Sequence, residues 1–238
     1  MHLTLQCSTW TGMPRSVTRA LTASCVVPRS WVVHDAVSAG YQVRAVVRDK
    51  SRPDKVDHIL AINDLGFAGS VELFEADLGD VGSYDAAFAG CAGICHCGAV
   101  MGRPGANKET PQEVFDGSFT EVRHVWDSAV KAGTVKRFVQ TSSMAAVAHG
   151  PPDDYVGDPR TYMQDHVFTE GDWTTQGDAN PEMIPLDRNV AYAAAKKAAE
   201  LALYDLADQP GTSFDACAIH PTHVLGPLKA VNNDDYLR

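Results

Sequence analysis

Tyr192 and Lys196 stand four residues apart in the run Ala191-Tyr-Ala-Ala-Ala-Lys-Lys-Ala-Ala-Glu-Leu-Ala-Leu. Alanine is the strongest helix former, so the run is expected to be helical. On a helix, residues i and i+4 share a face, and the pair can present a phenol and an ammonium to one site. A neighbouring ammonium stabilises phenolate and draws a tyrosine down from its reference pKa of about 10. Such a phenol can deliver a proton to a carbonyl oxygen, while a serine hydroxyl holds that oxygen in place. Ser143, in Thr141-Ser142-Ser143, is open to the second role. The same spacing arises often by chance on surface helices, so an ordinary tyrosine beside a solvated lysine remains an alternative on this pair alone. Lys197, the nearest competitor, is displaced by about 100° around the helix.

Those side chains work only if a scaffold positions them. Apolar spacing and stop signals predict helices over 30–40, 52–66, 82–90, 111–133 and 190–207. Short β-branched or apolar runs predict strands over 41–47, 71–78, 93–99, 135–143 and 214–220, with an irregular polar segment over 149–188. Strands alternating with helices imply right-handed crossovers and a doubly wound parallel α/β sheet of Rossmann-like form. Such sheets bind ligands at the carboxyl ends of their strands.

The residues found there form an ordered series. Arg48 follows the second strand, with Lys50, Arg52 and Lys55 after it. In a dinucleotide site this place meets the adenosine ribose, where arginine suits a 2′-phosphate; the alternative is a solvated basic patch. Asp77 and Leu78 close the third strand, suited to an adenine ring. Gly98 and Ala99 close the fourth and allow close approach of a cofactor.

The chain has 238 residues, 45% hydrophobic and 21% charged, the composition of a globular protein with a substantial core. A formal net charge of -10 argues against a nucleic-acid partner, which needs a basic face. No apolar run approaches the ~18 to 20 residues of a membrane-spanning helix. Six cysteines without framework spacing indicate reduced thiols and a cytoplasmic location. The cluster Cys91-Ala-Gly-Ile-Cys-His-Cys97 looks like a metal site. On a strand, however, Cys95 and Cys97 face one side and His96 the other, so no metal is expected. Val125 and Trp126 are core by spacing, Trp173 is expected to pack a loop, and His220 and His223 are expected to be loop histidines satisfied by backbone. Met101 and Arg103 follow the fourth strand without an assignable role.

From about Ser30 to Pro227 the chain resembles the extended short-chain dehydrogenase/reductases, specifically the dihydroflavonol reductase, cinnamoyl-CoA reductase and aldehyde reductase group. The matching strings are GYQVRAVVRD, VELFEADLGDVGSYDAAFAGCAGICH, KAGTVKRFVQTSS, EGDWT, AYAAAKKAAE and IHPTHVLGP. The resemblance implies reduction of a small ketone or aldehyde with NADP. Ser143, Tyr192 and Lys196 would be the catalytic triad, with Tyr192 and Lys196 also at the cofactor. Arg48 and Lys55 would meet the 2′-phosphate, Asp77 and Leu78 the adenine, Gly98 the cofactor backbone and Pro221 the nicotinamide end.

The departures are as specific. The family's glycine-rich turn, T-G-x-x-G-x-x-G-S-W, reads here Thr-Ala-Ser-Cys-Val-Val-Pro-Arg-Ser-Trp, so Ala23, Val26 and Arg29 hold the glycine places. The segment before Ser30 shows no convincing strand. Residues 1–29 are therefore set apart from a domain over 30–227, and are expected to come from a shifted reading frame or misassigned exon. Their Arg15, Arg19 and Arg29, with no acid before Asp35, also fit a transit peptide. Glu121-Val122 and His124 replace a Gly-Thr pair and an Asn in the long helix, and residues 228–238 only begin a substrate-binding region. Two further readings follow from these features: an inactive Rossmann-like fragment that has lost cofactor binding, and a nucleotide-sugar epimerase or dehydratase, which the basic loop at Arg48 disfavours.

Overall fold

The computed structural model describes residues 18–22, 26–98, 110–148, 156–158, 161–175, 187–222 and 224. Among them six strands form one sheet: β1 (Thr18–Thr22), β2 (Gln42–Val47), β3 (Ser70–Glu75), β4 (Gly93–His96), β5 (Arg137–Thr141) and β6 (Asp215–Ile219). Every pairing is parallel and the order is β3-β2-β1-β4-β5-β6. This is the doubly wound Rossmann arrangement, whose strand order reverses between β1 and β4 and leaves a crevice at their carboxyl ends.

Helices α1 (Val26–Ser38) and α2 (Pro53–Leu60) cover one face of the sheet, while α3 (Asp85–Phe88), α4 (Pro111–Ala132) and α6 (Arg188–Ala207) cover the other. A short α5 (Tyr162–Asp165) lies in the segment expected to be irregular. Local signals set the helix limits. Thr110 and Glu113 form a reciprocal capping box ahead of α4, with Pro111 at its first position, and Gly133 ends the helix at φ 66°. The segment expected to be helical over 52–66 starts at Pro53, tightens to a 3-10 turn over Ala61–Leu65 and stops at Gly66.

One expectation is overturned. The segment before Ser30, read as lacking a strand, supplies β1, which lies at the centre of the sheet with β2 on one side and β4 on the other. The sequence Thr-Arg-Ala-Leu-Thr carries little β-branched apolar character. Its strand conformation comes from two flanking ladders that satisfy its backbone, an instance of tertiary context overriding propensity. Helix α1 likewise begins at Val26, earlier than the expected Ser30.

The alternation read from the sequence holds along β4 and β5. Ile94 and Phe138 enter the core beneath α4 and α6, with Trp126 and Val125, whereas Cys95 and Val139 enter the core beneath α1 and α2.

Candidate active site

Asp187 begins α6, its Oδ1 accepting from the backbone N–H of Asn189 at 2.7 Å and of Val190 at 3.3 Å. The helix then presents Ala191, Ala193, Ala194, Ala195 and Ala199, all buried, toward its neighbours. Such small side chains let α6 lie close to α4 and to the 3-10 turn over Met144–Ala146 that follows β5. That approach carries Lys196 inward.

Lys196 is 8% exposed. Its Nζ lies 3.5 Å from the carbonyl oxygen of Thr141, the last residue of β5, and 5.8 Å from the centroid of the Tyr192 ring, over the ring face. Ser143, two residues beyond Thr141, is buried and caps the 3-10 turn, its Oγ accepting from the Ala145 N–H at 3.2 Å. Pro221 reaches the same place. The Ser142 N–H donates to Ile219 at 2.9 Å and the Met144 N–H donates to Pro221 at 3.1 Å, so the chain after β5 stays paired with the chain after β6. Lys197 instead turns to the Thr174 carbonyl at 3.0 Å. Trp173, expected to pack a loop, is half-buried beside Thr174, which is wholly buried and whose N–H donates to Ala146.

Beneath this group lies a feature the sequence reading did not weigh. Glu200, one turn beyond Lys196 on α6, is 2% exposed, and His220 Nε2 sits 2.8 and 2.9 Å from its two oxygens. The Tyr204 hydroxyl donates to Glu200 at 3.2 Å. Burial raises the Glu200 pKa, but the bonds it accepts, led by that from His220, hold it below the usual carboxylate range. Tyr204 is pushed up to about 12 by burial and by the carboxylate beside it. His220 was expected to be satisfied by backbone; it is satisfied by this carboxylate instead, because α6 brings Glu200 under the end of β6. The signal was present as a glutamate on the Tyr192 and Lys196 face of an alanine helix.

His96 completes the buried polar set. It is 2% exposed, packs 6.1 Å from Phe138 between ring centroids, and is pushed down to about 3 by burial and then by the charge of Lys196.

The expected cofactor residues lie in two groups along the strand ends. Gly98 and Leu78 meet: a Cβ at Gly98 would lie 3.1 Å from His96 and 3.4 Å from Leu78, so a side chain there would crowd both. His124 of α4 holds the Leu78 carbonyl at 2.9 Å, and Asp77 Oδ1 accepts from the Gly79 N–H at 2.9 Å. Arg48 follows β2 as an exposed cation that no salt bridge joins to another described residue, while Lys55 Nζ stands 3.9 Å from Asp54. Gly98, without a side chain at the end of β4, and the exposed Arg48 guanidinium after β2 are the described residues that could meet a dinucleotide and its 2′-phosphate. Ala23, Ala99, Met101, Arg103 and His223 lie outside the described residues. Cys95 and Cys97 share a face, as expected, with Sγ atoms 3.5 Å apart, and His96 faces the other way toward Phe138.

The model of the NAD dependent epimerase/dehydratase family matches residues 30–236. The chain is 32% identical over 199 residues to cinnamoyl-CoA reductase CAD2 of Medicago truncatula, covering 84% of this chain and 55% of that protein. It is 35% identical over 200 residues to dihydroflavonol 4-reductase of Arabidopsis thaliana, covering 84% and 47%. It thus spans about half the length of these relatives. Among solved structures, Gre2 of Candida albicans in complex with NADPH superposes with a TM-score of 0.68 at 21% identity, over 89% of this chain and 59% of Gre2. Vestitone reductase of alfalfa (Medicago sativa L.) gives 0.66 at 24% identity, over 92% and 60%.

Proposed function

Because the chain belongs to the NAD dependent epimerase/dehydratase family, as an extended short-chain dehydrogenase/reductase of the dihydroflavonol and cinnamoyl-CoA reductase type, we propose that it is an NADP-dependent oxidoreductase reducing a small ketone or aldehyde to an alcohol. The observation that carries this reading is the buried ammonium of Lys196. It lies over the Tyr192 ring and beside the carbonyl of Thr141 at the carboxyl end of β5, two residues before Ser143. NADPH bound along the strand ends would supply the reducing equivalent. Arg48 and Lys55 would hold its 2′-phosphate, Asp77 and Leu78 its adenine, Gly98 would give room for its backbone, and Pro221 would flank its nicotinamide. Tyr192 would give its phenolic proton to the substrate oxygen as charge develops there, and Lys196 would stabilise the phenolate left behind. Ser143 would hold the substrate oxygen by donating its hydroxyl proton.

The test compares carbonyl reduction by the chain and by its Tyr192→Phe variant. Loss of the general acid is expected to lower turnover by about 10² to 10⁴-fold. A variant that keeps full activity overturns the proposal. Titration with NADPH and NADH should favour NADPH, and Arg48→Glu should erase that preference.

A second reading, an inactive Rossmann-like fragment that has lost cofactor binding, is favoured by the residues at the glycine places, Ala23, Val26 and Arg29. Tight NADPH binding excludes it.

A further inference from the structure

Cys95 and Cys97 are the last buried thiol of β4 and the first residue beyond that strand, and strand alternation sends both side chains to the α1 and α2 face. Their sulfurs are 3.5 Å apart and neither is in a disulfide. Cys95 is 2% exposed, whereas Cys97 is half-buried at the strand end. The Thr141 hydroxyl lies 3.4 Å from Cys97 Sγ and donates to it. One thiol of the pair is partly exposed, and the other lies buried beside it.

The other described thiols are excluded as partners by position. Cys91 faces the opposite core, donates to the Ala87 carbonyl at 3.2 Å, and is pushed up to about 11 by burial. Cys217 shares the face, but the strand register runs Cys95, Val139, Cys217, so β5 lies between them. Two interstrand steps separate their Cα atoms by about 9 to 10 Å, beyond the ~7 Å limit for a disulfide.

We propose that Cys95 and Cys97 form a reversible oxidation site for hydroperoxides. The Cys97 thiolate attacks the terminal peroxide oxygen, the O–O bond breaks, and water or an alcohol leaves with a proton, giving Cys97 sulfenic acid. The Cys95 sulfur then attacks the Cys97 sulfur, the S–O bond breaks, and the hydroxide leaves as water with the Cys95 proton. Two thiols and one peroxide thus become one disulfide with two-electron reduction of the peroxide, and an external dithiol reverses the step. Residues i and i+2 of a strand have Cα atoms about 6.6 Å apart, at the long end of the disulfide range, so the bridge closes under strain and is readily reduced. The site is independent of the reductase reading, since it needs neither cofactor nor substrate.

The experiment treats the unsubstituted chain with hydrogen peroxide, blocks remaining thiols with a light alkylating reagent, reduces with dithiothreitol and labels with a heavy one, with fragmentation resolving each cysteine. Cys95 and Cys97 are expected to carry the heavy label together, forming about tenfold or more faster than any modification of Cys91 or Cys217. In Cys95→Ser, dimedone should trap a sulfenic acid on Cys97; in Cys97→Ser it should trap none on Cys95. Heavy label on Cys91, Cys217, Cys7 or Cys25 in place of the pair, or a sulfenic acid forming first at Cys95, overturns the proposal. So does a chain in which no pair is labelled. The unsubstituted chain decides the matter even if a serine variant fails to fold.

Discussion

The two faces of the sheet bury different chemistry. Beneath α1 and α2 the core is Val33, Val37, Val43, Val47, Val56, Ile59, Ile62, Val71 and Val139, with Tyr41, Ala45 and Cys95. Beneath α4 and α6 an aromatic core of Phe88, Trp126, Phe138 and Phe214 is bordered by His96, Gln140, Lys196 and Glu200. Of the buried polar side chains among the described residues, Ser30 alone belongs to α1; the rest lie on β4, on α4 and α6, at the end of β5, or in the loop reaching Thr174. Desolvating a charge costs several kcal/mol unless hydrogen bonds or partners offset it. The first face is thus almost wholly apolar, and the second carries most of the desolvated polar groups, Lys196 of the proposed chemistry among them.

The most damaging substitution should fall on the aliphatic face and leave the chemistry alone. Ile59 is wholly buried, and Ile59→Ala is expected to cost about 3 kcal/mol in a urea titration. NADPH affinity of the remaining folded protein should stay unchanged. An affinity loss that outruns the loss of folded protein would break the division between the faces.

Acid should act on the other face. His96 is held near 3 when folded, against an ordinary value of 6.5. The unfolded chain therefore binds more protons between those values, and stability present above pH 6.5 is lost as pH falls toward 3. Between pH 7.5 and 4.5 this one residue should account for on the order of 2 to 3 kcal/mol. The measurement is urea titration of the chain and of His96→Leu at both pH values. The variant should show a correspondingly smaller fall, and equal falls would remove His96 from the argument.

Much of this division is legible in the sequence, and what was missed has physical causes. Alternation put Cys95 opposite His96, and the four-residue spacing put Lys196 beside Tyr192, because periodicity is a local property. The strand β1 was missed because Thr-Arg-Ala-Leu-Thr becomes a strand only between two ladders that sequence does not display. The Glu200 and His220 pair was missed because its members are twenty residues apart and meet only through the packing of α6 on β6. His124 was legible only as the residue standing where the family resemblance places an Asn. It holds the Leu78 carbonyl, a contact across α4 that no spacing rule reports.

That missed pair sharpens the comparison with a smaller effect. Glu200 is held below the ordinary carboxylate range, so its contribution is present at neutral pH and is lost as pH falls through its folded value. Glu200→Gln replaces a charge-assisted bond with a neutral one and should cost about 1 to 2 kcal/mol at pH 7.5. It should also flatten the stability curve below pH 5. If urea titration finds no loss at pH 7.5, the network is not holding the end of β6 to α6.

The smallest effect is the most discriminating, because its sign is expected to be reversed. Gln140 pairs with His96 across the β4 and β5 ladder, is 3% exposed, and its Oε1 has no hydrogen-bond partner among the described residues. A buried carbonyl without a donor costs about 1 to 3 kcal/mol relative to one that is satisfied. Methionine has nearly the same length and flexibility and carries no such acceptor. Gln140→Met should therefore leave stability unchanged or raise it by up to about 1 kcal/mol, measured as the shift in urea midpoint at constant slope. A polar side chain that the fold would be better without is what a face shaped by a binding site should contain. A loss of stability on this substitution would show that Gln140 belongs to the structural bonds of the sheet.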